Sequence, residues 1–220
     1  MRKRLTERGN FSYLTVALVV LLFGTALADE LGFQLGQLLI QAAIVMVLAL
    51  GIWSIESQSH WFLTRVGMVV AIALVALAGL FLEWVQMDVL WLAILLGYLV
   101  VTTWLAMKQV LFTGPIDSNK IVGAVCIFLL GGLVWTTLYM MVALLNPEAF
   151  NGLEPGPWYD IFPDLVYFSF VSLTTLGYGD IGPVGPMARF LAFMEAIVGQ
   201  FYVAILVASL VGIRISNQQK

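Results

Sequence analysis

Long apolar stretches separated by short polar connectors make up most of the chain. A helix needs about 20 mostly apolar residues to cross the hydrocarbon core of a bilayer. Six stretches meet this requirement approximately, at residues 11–28, 31–53, 62–82, 89–107, 121–145 and 187–213. The pattern therefore predicts an all-α membrane protein with six transmembrane helices.

The composition agrees with this prediction. Hydrophobic residues make up 61% of the 220 residues and charged residues only 10%, whereas a soluble domain is nearer a quarter charged. The first apolar stretch follows a basic start and ends in Ala26-Leu27-Ala28, which resembles a signal-peptidase site. Because this stretch is long for a signal core, we interpret it as a first transmembrane helix, and cleavage is the alternative.

The positions of lysine and arginine predict the orientation, because cytoplasmic loops carry an excess of both. With the N-terminus in the cytoplasm, only Arg189 of the ten basic residues falls outside. We therefore expect a multi-pass protein of the cell membrane with both termini cytoplasmic. The compact layout is typical of a prokaryotic inner membrane.

A different kind of segment separates the fifth and sixth spans. The turn-rich sequence NPEAFNGLEPGPWYDIFP precedes an apolar stretch at residues 164–174, which is too short to cross a bilayer. Pro163 suits the first position of a helix, where its missing N–H is no loss. The pattern predicts a half-helix that enters the membrane from outside and stops partway.

The half-helix leads into the sequence SLTTLGYGDIGP at residues 172–183. Irregular backbone at membrane depth is tolerated only when it is buried in protein or lines a watery cavity. Glycines at alternate positions permit positive φ angles and let successive carbonyl groups face one side. Such carbonyls can replace the water shell of a cation, which the negative end of the half-helix dipole also favours. The segment therefore indicates a cation pathway.

The sequence TTLGYGD resembles the selectivity-filter signature of potassium channels, whose filters are rings of backbone carbonyls. The resemblance covers about residues 121–213. It implies that the carbonyls of Thr175, Leu176, Gly177 and Tyr178 bind dehydrated K⁺, with the Thr175 hydroxyl completing the innermost site. One filter segment per chain implies a homotetrameric pore.

The resemblance also implies supporting roles around the filter. Gly179 turns the chain outward, Asp180 lies at the outer mouth, and Thr174 precedes the filter. Val171 stands where several potassium channels carry an acid, and Tyr167 stands where many carry a tryptophan. We hypothesise that a hydrogen bond from Tyr167 to Asp180 supports the filter instead.

The predicted sixth span contains a glycine where inner helices of potassium channels often bend. Gly199 is therefore a candidate hinge, and close packing of the helix is the alternative. If Gln200 faces the cavity, helical spacing places three valines on the same face, at Val203, Val207 and Val211. This face could close the pore by excluding water.

Glu195 also lies within this span. An ionisable group inside a membrane is a functional candidate by default. We expect Ser172 or Thr174 to hydrogen-bond it. Two roles remain open, a structural link that holds the filter scaffold and a pH sensor.

The chain divides into a four-helix transmembrane domain at residues 1–112, a cytoplasmic linker at 113–120 and a pore domain at 121–220. Voltage sensors carry three or four charges per subunit on one helix, but the fourth span has only Lys108, at its inner end. We therefore expect a pore without steep voltage gating. On the second span, Gln34, Gln37 and Gln41 form a stripe suited to helix contacts or to a ligand or lipid site.

These patterns predict a potassium-selective channel. A non-selective cation pore and a non-conducting channel-like subunit or scaffold are the alternatives. Cys126 and His60 each stand alone, so we expect no disulfide, no enzyme and no cofactor besides the permeant K⁺. The expected partners are K⁺, further copies of the chain and membrane lipids, but no nucleic acid. The chain ends in IRISNQQK at residues 213–220, which is too short for a cytoplasmic ligand-binding domain, so gating by the filter, the membrane, an ion or a separate regulatory subunit remains open.

Overall fold

The computed structural model describes residues 10–30, 36–54, 59–79, 85–112 and 118–218. These ranges form seven α-helices, one 3₁₀ turn and two short strands. The helices are α1 (Asn10–Glu30), α2 (Gly36–Ser54), α3 (Ser59–Gly79), α4 (Val85–Phe112), α5 (Ser118–Leu145), α6 (Trp158–Leu173) and α7 (Pro186–Gln218). The 3₁₀ turn is Pro147–Ala149, and the strands are β1 (Phe150–Asn151) and β2 (Gly182–Pro183). The chain is therefore mostly helical, as predicted.

Three of the described helices are long and apolar enough to cross a membrane. They contain the segments Met87–Val110, Asn119–Leu145 and Pro186–Leu206. Shorter apolar helices occupy Phe11–Leu27, Ile40–Ile52 and Leu63–Ala78. A multi-pass membrane protein is consistent with these helices, whereas the six-span topology stays a prediction.

Helix α5 lies at the centre of the packing. It contacts α1, α4, α6 and α7. Leu14 and Leu18 of α1, Leu92 of α4 and Leu130 of α5 are almost fully buried in one apolar core. The core also includes Leu165 of α6, so helices before residue 112 pack directly against the helix that leads to the loop at residues 174–181.

Buried polar groups join the helices before α5. Arg65 of α3 donates to the carbonyl oxygen of Gly51 at 3.3 Å, and Tyr98 of α4 donates to the carbonyl oxygen of Leu48. Gln41 is the member of the predicted glutamine stripe whose side chain is described, and it is buried. Gln34 and the side chain of Gln37 lie outside the described residues, as does most of the predicted linker at 113–120.

The predicted start of the half-helix was wrong. Helix α6 begins at Trp158 rather than at Pro163, and Pro163 lies inside it. A proline inside a helix removes one backbone hydrogen bond, but the first turn is held by packing, because Trp158, Ile161 and Phe162 are buried. Pro157 caps the helix, and its carbonyl accepts from Asp160 N at 3.0 Å.

A two-stranded antiparallel sheet connects the two loops that flank α6. Phe150 pairs with Pro183, and Asn151 pairs with Gly182. Next to this sheet, the carbonyl of Ala149 accepts from Val184 N at 2.8 Å and from Gly185 N at 3.0 Å. The segment that follows the loop at residues 174–181 is therefore hydrogen-bonded to the segment that precedes α6.

Candidate functional site

The loop after α6 has an alternating backbone conformation. Thr175, Gly177 and Gly179 have φ angles of 61°, 59° and 82°, all in the left-handed region. Glycine adopts this region without steric cost, whereas other residues lose about 1–2 kcal/mol there. Positive φ at every second residue explains the glycines at positions 177 and 179. Thr175 adopts the same region although it has a side chain, so its backbone is strained.

The N–H groups of this loop are bonded back to the end of α6. Thr175 N donates to Ser172 O at 3.0 Å, while Leu176 N and Gly177 N donate to Val171 O at 2.9 and 3.4 Å. Val171 therefore contacts the loop through its carbonyl, while its side chain is buried. Among the described hydrogen bonds, none uses the carbonyl of residues 175–178 as an acceptor.

Two large side chains of the loop are exposed on the single chain. Leu176 and Tyr178 are 59% and 69% exposed. Exposed apolar side chains close together indicate a surface that contacts something outside the chain. On the single chain, the loop therefore has backbone carbonyls that accept none of the described hydrogen bonds, and it also has large side chains that are not buried.

A hydrogen bond joins α6 to the end of the loop, as we hypothesised from the sequence. Tyr167 Oη donates to Asp180 Oδ2 at 2.7 Å. This bond is the main reason that the pKa of Asp180 lies below its ordinary value. Thr174 Oγ1 in turn donates to the Phe170 carbonyl at 2.6 Å, so both ends of the loop are bonded to α6.

Glu195 of α7 is bonded to residues that the sequence analysis missed. Tyr139 Oη of α5 lies 2.5 Å from Glu195 Oε2, and Ser169 Oγ of α6 lies 2.6 Å from Glu195 Oε1. The predicted partners, Ser172 and Thr174, were wrong. Ser169 is buried where α6 meets both α5 and α7, since its hydroxyl also contacts the carbonyl oxygen of Gly132. Nothing local distinguishes Tyr139 and Ser169 in the sequence, because both helices contain other hydroxyl side chains.

An aromatic cluster lies beside this contact. The rings of Tyr139, Phe150 and Phe168 meet edge to face, with centroids 4.9–5.7 Å apart. Such ring pairs stabilise a fold beyond the area that they bury. The cluster joins α5, β1 and α6 behind the loop.

Gly199 is packed closely against the end of α6. A Cβ atom at position 199 would collide with the carbonyl oxygen of Leu173, so close packing alone accounts for a glycine here, and the hinge stays a prediction. Gln200 and Val203 are exposed on the single chain, and their place in a cavity is likewise a prediction. The side chains of Val207 and Val211 lie outside the described residues.

The described residues contain no group of three or more His, Cys, Asp or Glu side chains that could hold a metal ion. The loop nevertheless offers oxygen atoms, namely its backbone carbonyls and the Thr175 hydroxyl. Carbonyl and hydroxyl oxygens suit hard cations.

Comparison with known proteins supports this interpretation. Residues 123–214 match a family described as ion channel. The chain is 30% identical over 105 residues to a two-pore potassium channel 5 of Arabidopsis thaliana, a match that covers 48% of this chain and 24% of that protein. It is 33% identical over 85 residues to the inward rectifier potassium channel Kirbac3.1 of Paramagnetospirillum magnetotacticum, covering 39% of this chain and 27% of that protein.

The chain thus spans about a quarter of the length of each curated relative. No solved structure matches it. The family match contains α6, the loop and most of α7, and it confirms the predicted resemblance to pore-loop potassium channels for this part of the chain. The family is one of ion channels and not a class of enzymes.

Proposed function

We propose that this protein is a potassium-selective channel whose filter is formed by the carbonyls of Thr175, Leu176, Gly177 and Tyr178. The proposal rests on the backbone conformation of the loop. Its alternating positive φ angles and its N–H groups bonded to α6 leave a row of carbonyl oxygens without partners among the described residues. Four such rows around one axis can replace the hydration shell of K⁺.

The working unit in this proposal is a homotetramer. One chain supplies one row of carbonyls, which cannot surround an ion. Apolar side chains that are exposed on a single chain would be buried between copies, namely Leu176, Tyr178, Phe190 and Phe193. Membrane lipids would cover the outer faces of the helices, and a separate regulatory subunit could supply a gating stimulus.

The proposed channel has two parts, a four-helix domain at residues 1–112 and a pore domain at 121–220, with both termini in the cytoplasm of a prokaryotic cell. The positive-inside distribution of lysine and arginine supports this orientation. The inner helix would line the cavity with Gln200, Val203, Val207 and Val211 and bend at Gly199.

A flux assay in liposomes tests the proposal. The purified chain is reconstituted, and K⁺ flux and Na⁺ flux are each measured under an imposed gradient, with and without barium. K⁺ flux that Na⁺ does not match, that barium blocks and that Gly177→Asp abolishes would support the proposal. Na⁺ flux of similar size would indicate a non-selective cation pore. Absence of flux across a range of voltage and pH would favour a non-conducting subunit.

A further inference from the structure

A buried cluster of hydroxyl and carboxyl groups joins the three helices that surround the filter loop. Glu195 of α7 lies between Tyr139 of α5 and Ser169 of α6, and Ser169 also contacts the backbone of Gly132 in α5. Glu195 and Ser169 are 0% exposed on the single chain. The proposed conduction by the filter carbonyls makes no use of this cluster.

The distances in the cluster determine how many hydrogen atoms it needs. Ser169 Oγ lies 2.6 Å from Glu195 Oε1 and 2.8 Å from the carbonyl oxygen of Gly132. Tyr139 Oη lies 2.5 Å from Glu195 Oε2. These are three contacts between oxygen atoms at hydrogen-bond distance, and each requires one hydrogen.

An ionised Glu195 does not supply enough hydrogens. A carboxylate accepts only, and each hydroxyl donates a single hydrogen. Tyr139 would donate to Oε2, and Ser169 could then donate to either Oε1 or the Gly132 carbonyl but not to both. One pair of oxygens would face each other at 2.6 or 2.8 Å with no hydrogen between them.

A protonated Glu195 satisfies all three contacts. Its Oε1–H donates to Ser169 Oγ, Ser169 donates to the Gly132 carbonyl, and Tyr139 donates to Oε2. The carbonyl of Gly132 also accepts from Thr136 Oγ1 at 2.8 Å, and a carbonyl oxygen has two lone pairs for such bonds.

Within the described part of the chain, no positive charge that would favour a carboxylate faces Glu195. On α5, the titratable group that faces it is Tyr139, and on α6 the polar group is Ser169. Glu148 of the 3₁₀ turn and Asp164 of α6 are exposed acids. Arg189, on α7 itself, is exposed and donates to the Pro183 carbonyl at 3.3 Å. A buried acid without a cation is neutral in practice.

We propose that Glu195 is a neutral carboxylic acid that holds its proton at neutral pH and, through Ser169 and Tyr139, positions α6 behind the filter loop. Glu195 is a positioning residue, because it acts on the filter through α6. The expected effect on K⁺ flux rests on the proposed channel function, whereas the protonation state of Glu195 does not.

Infrared spectroscopy of the full-length protein in liposomes tests the proton directly. A protonated carboxyl group has a carbonyl stretching band distinct from the bands of a carboxylate. The spectrum of the unchanged protein minus that of Glu195→Gln at neutral pH is expected to contain the protonated band. Glu148→Gln, which changes an exposed acid, is the matched control and should leave the protonated band of Glu195 in place. Carboxylate bands in the Glu195→Gln difference would overturn the proposal.

Rescue by the conservative variant tests the positioning role. The side-chain amide introduced by Glu195→Gln can donate to Ser169 and accept from Tyr139, as the neutral acid does, whereas Glu195→Leu removes both bonds. We expect Glu195→Gln to keep the thermal stability and K⁺ flux of the unchanged protein, and Glu195→Leu to lose both. If Glu195→Gln loses as much as Glu195→Leu, the charge of the carboxylate is required and the proposal fails.

The two experiments separate the two proposals. If neither the unchanged protein nor any variant conducts K⁺, the proposed channel function fails. The infrared band then still decides whether Glu195 is protonated, and the thermal stability still tests its positioning role. If K⁺ flux is present while the protonated band is absent, the function stands and the neutral acid is wrong.

Discussion

At the scale of single residues, the bond between Tyr167 and Asp180 connects α6 to the end of the loop that we propose as a filter. Both side chains are exposed, and their oxygens are 2.7 Å apart. An exposed hydrogen bond contributes little to global stability. Its effect should therefore appear in the local conformation of the loop and not in the unfolding of the whole protein.

Removing the tyrosine hydroxyl should destabilise the filter when few ions occupy it. We expect currents of Tyr167→Phe to decay faster than those of the unchanged protein in low external K⁺, measured in planar bilayers. Asp180→Asn is the matched control, because its amide oxygen can still accept the hydrogen bond from Tyr167. Its currents should therefore decay more slowly than those of Asp180→Ala. An unchanged time course in Tyr167→Phe would contradict this role.

The same bond predicts a response to pH. Because the hydrogen bond from Tyr167 holds the pKa of Asp180 below its ordinary value of about 4, the carboxylate is present at neutral pH. Its contribution is lost only as pH falls through that lowered pKa. The rate of current decay should therefore be constant between external pH of about 7 and about 5. A change centred near a pH of about 6 would exclude Asp180 as its cause.

At the scale of elements, the approach of α6 to α5 depends on a position without a side chain. A Cβ atom at Gly132 would lie 2.5–2.9 Å from ring atoms of Phe170. The same close approach brings Ser169 to the Gly132 carbonyl at 2.8 Å. The backbone of α5 therefore forms part of the surface on which α6 rests.

An alanine at position 132 should push α6 away from α5. Overpacking of this kind costs typically about 1–3 kcal/mol, so Gly132→Ala is expected to lower the melting temperature and reduce K⁺ flux. Gly131→Ala is the matched control, because nothing lies within 4 Å of a Cβ atom there and alanine favours a helix by about 1 kcal/mol over glycine. Equal melting temperatures for the two variants would contradict the packing argument.

At the scale of the whole molecule, helices before α5 contact α6 directly. The rings of Trp91 in α4 and Trp158 in α6 have centroids 4.8 Å apart, and both side chains are buried. A displacement of α4 would therefore be transmitted to the start of α6.

Membrane voltage should not move α4. Its charged residues are Asp88, in its first turn, and Lys108, which lies 5.8 Å from the Trp104 ring. A charge that crosses the whole field gains about 2.3 kcal/mol per 100 mV, and α4 has none between these two residues. We expect a nearly constant open probability between strongly negative and strongly positive voltages in single-channel recordings. A steep sigmoidal activation curve would contradict this prediction.

The sequence by itself determined the helical class and the family resemblance of residues 121–213, and it led to the hypothesis that Tyr167 bonds Asp180. The first two depend on local pattern, namely apolar stretches and alternating glycines, whereas the third came from the resemblance, because Tyr167 stands where many potassium channels carry a tryptophan. The start of α6 and the partners of Glu195 required the tertiary structure, because Tyr139 is 56 residues away from Glu195 along the chain. Packing of Trp158, Ile161 and Phe162 outweighed the local preference of Pro163 for a helix start. Local preferences are weak compared with burial, and only the folded chain shows which side chains share a buried space.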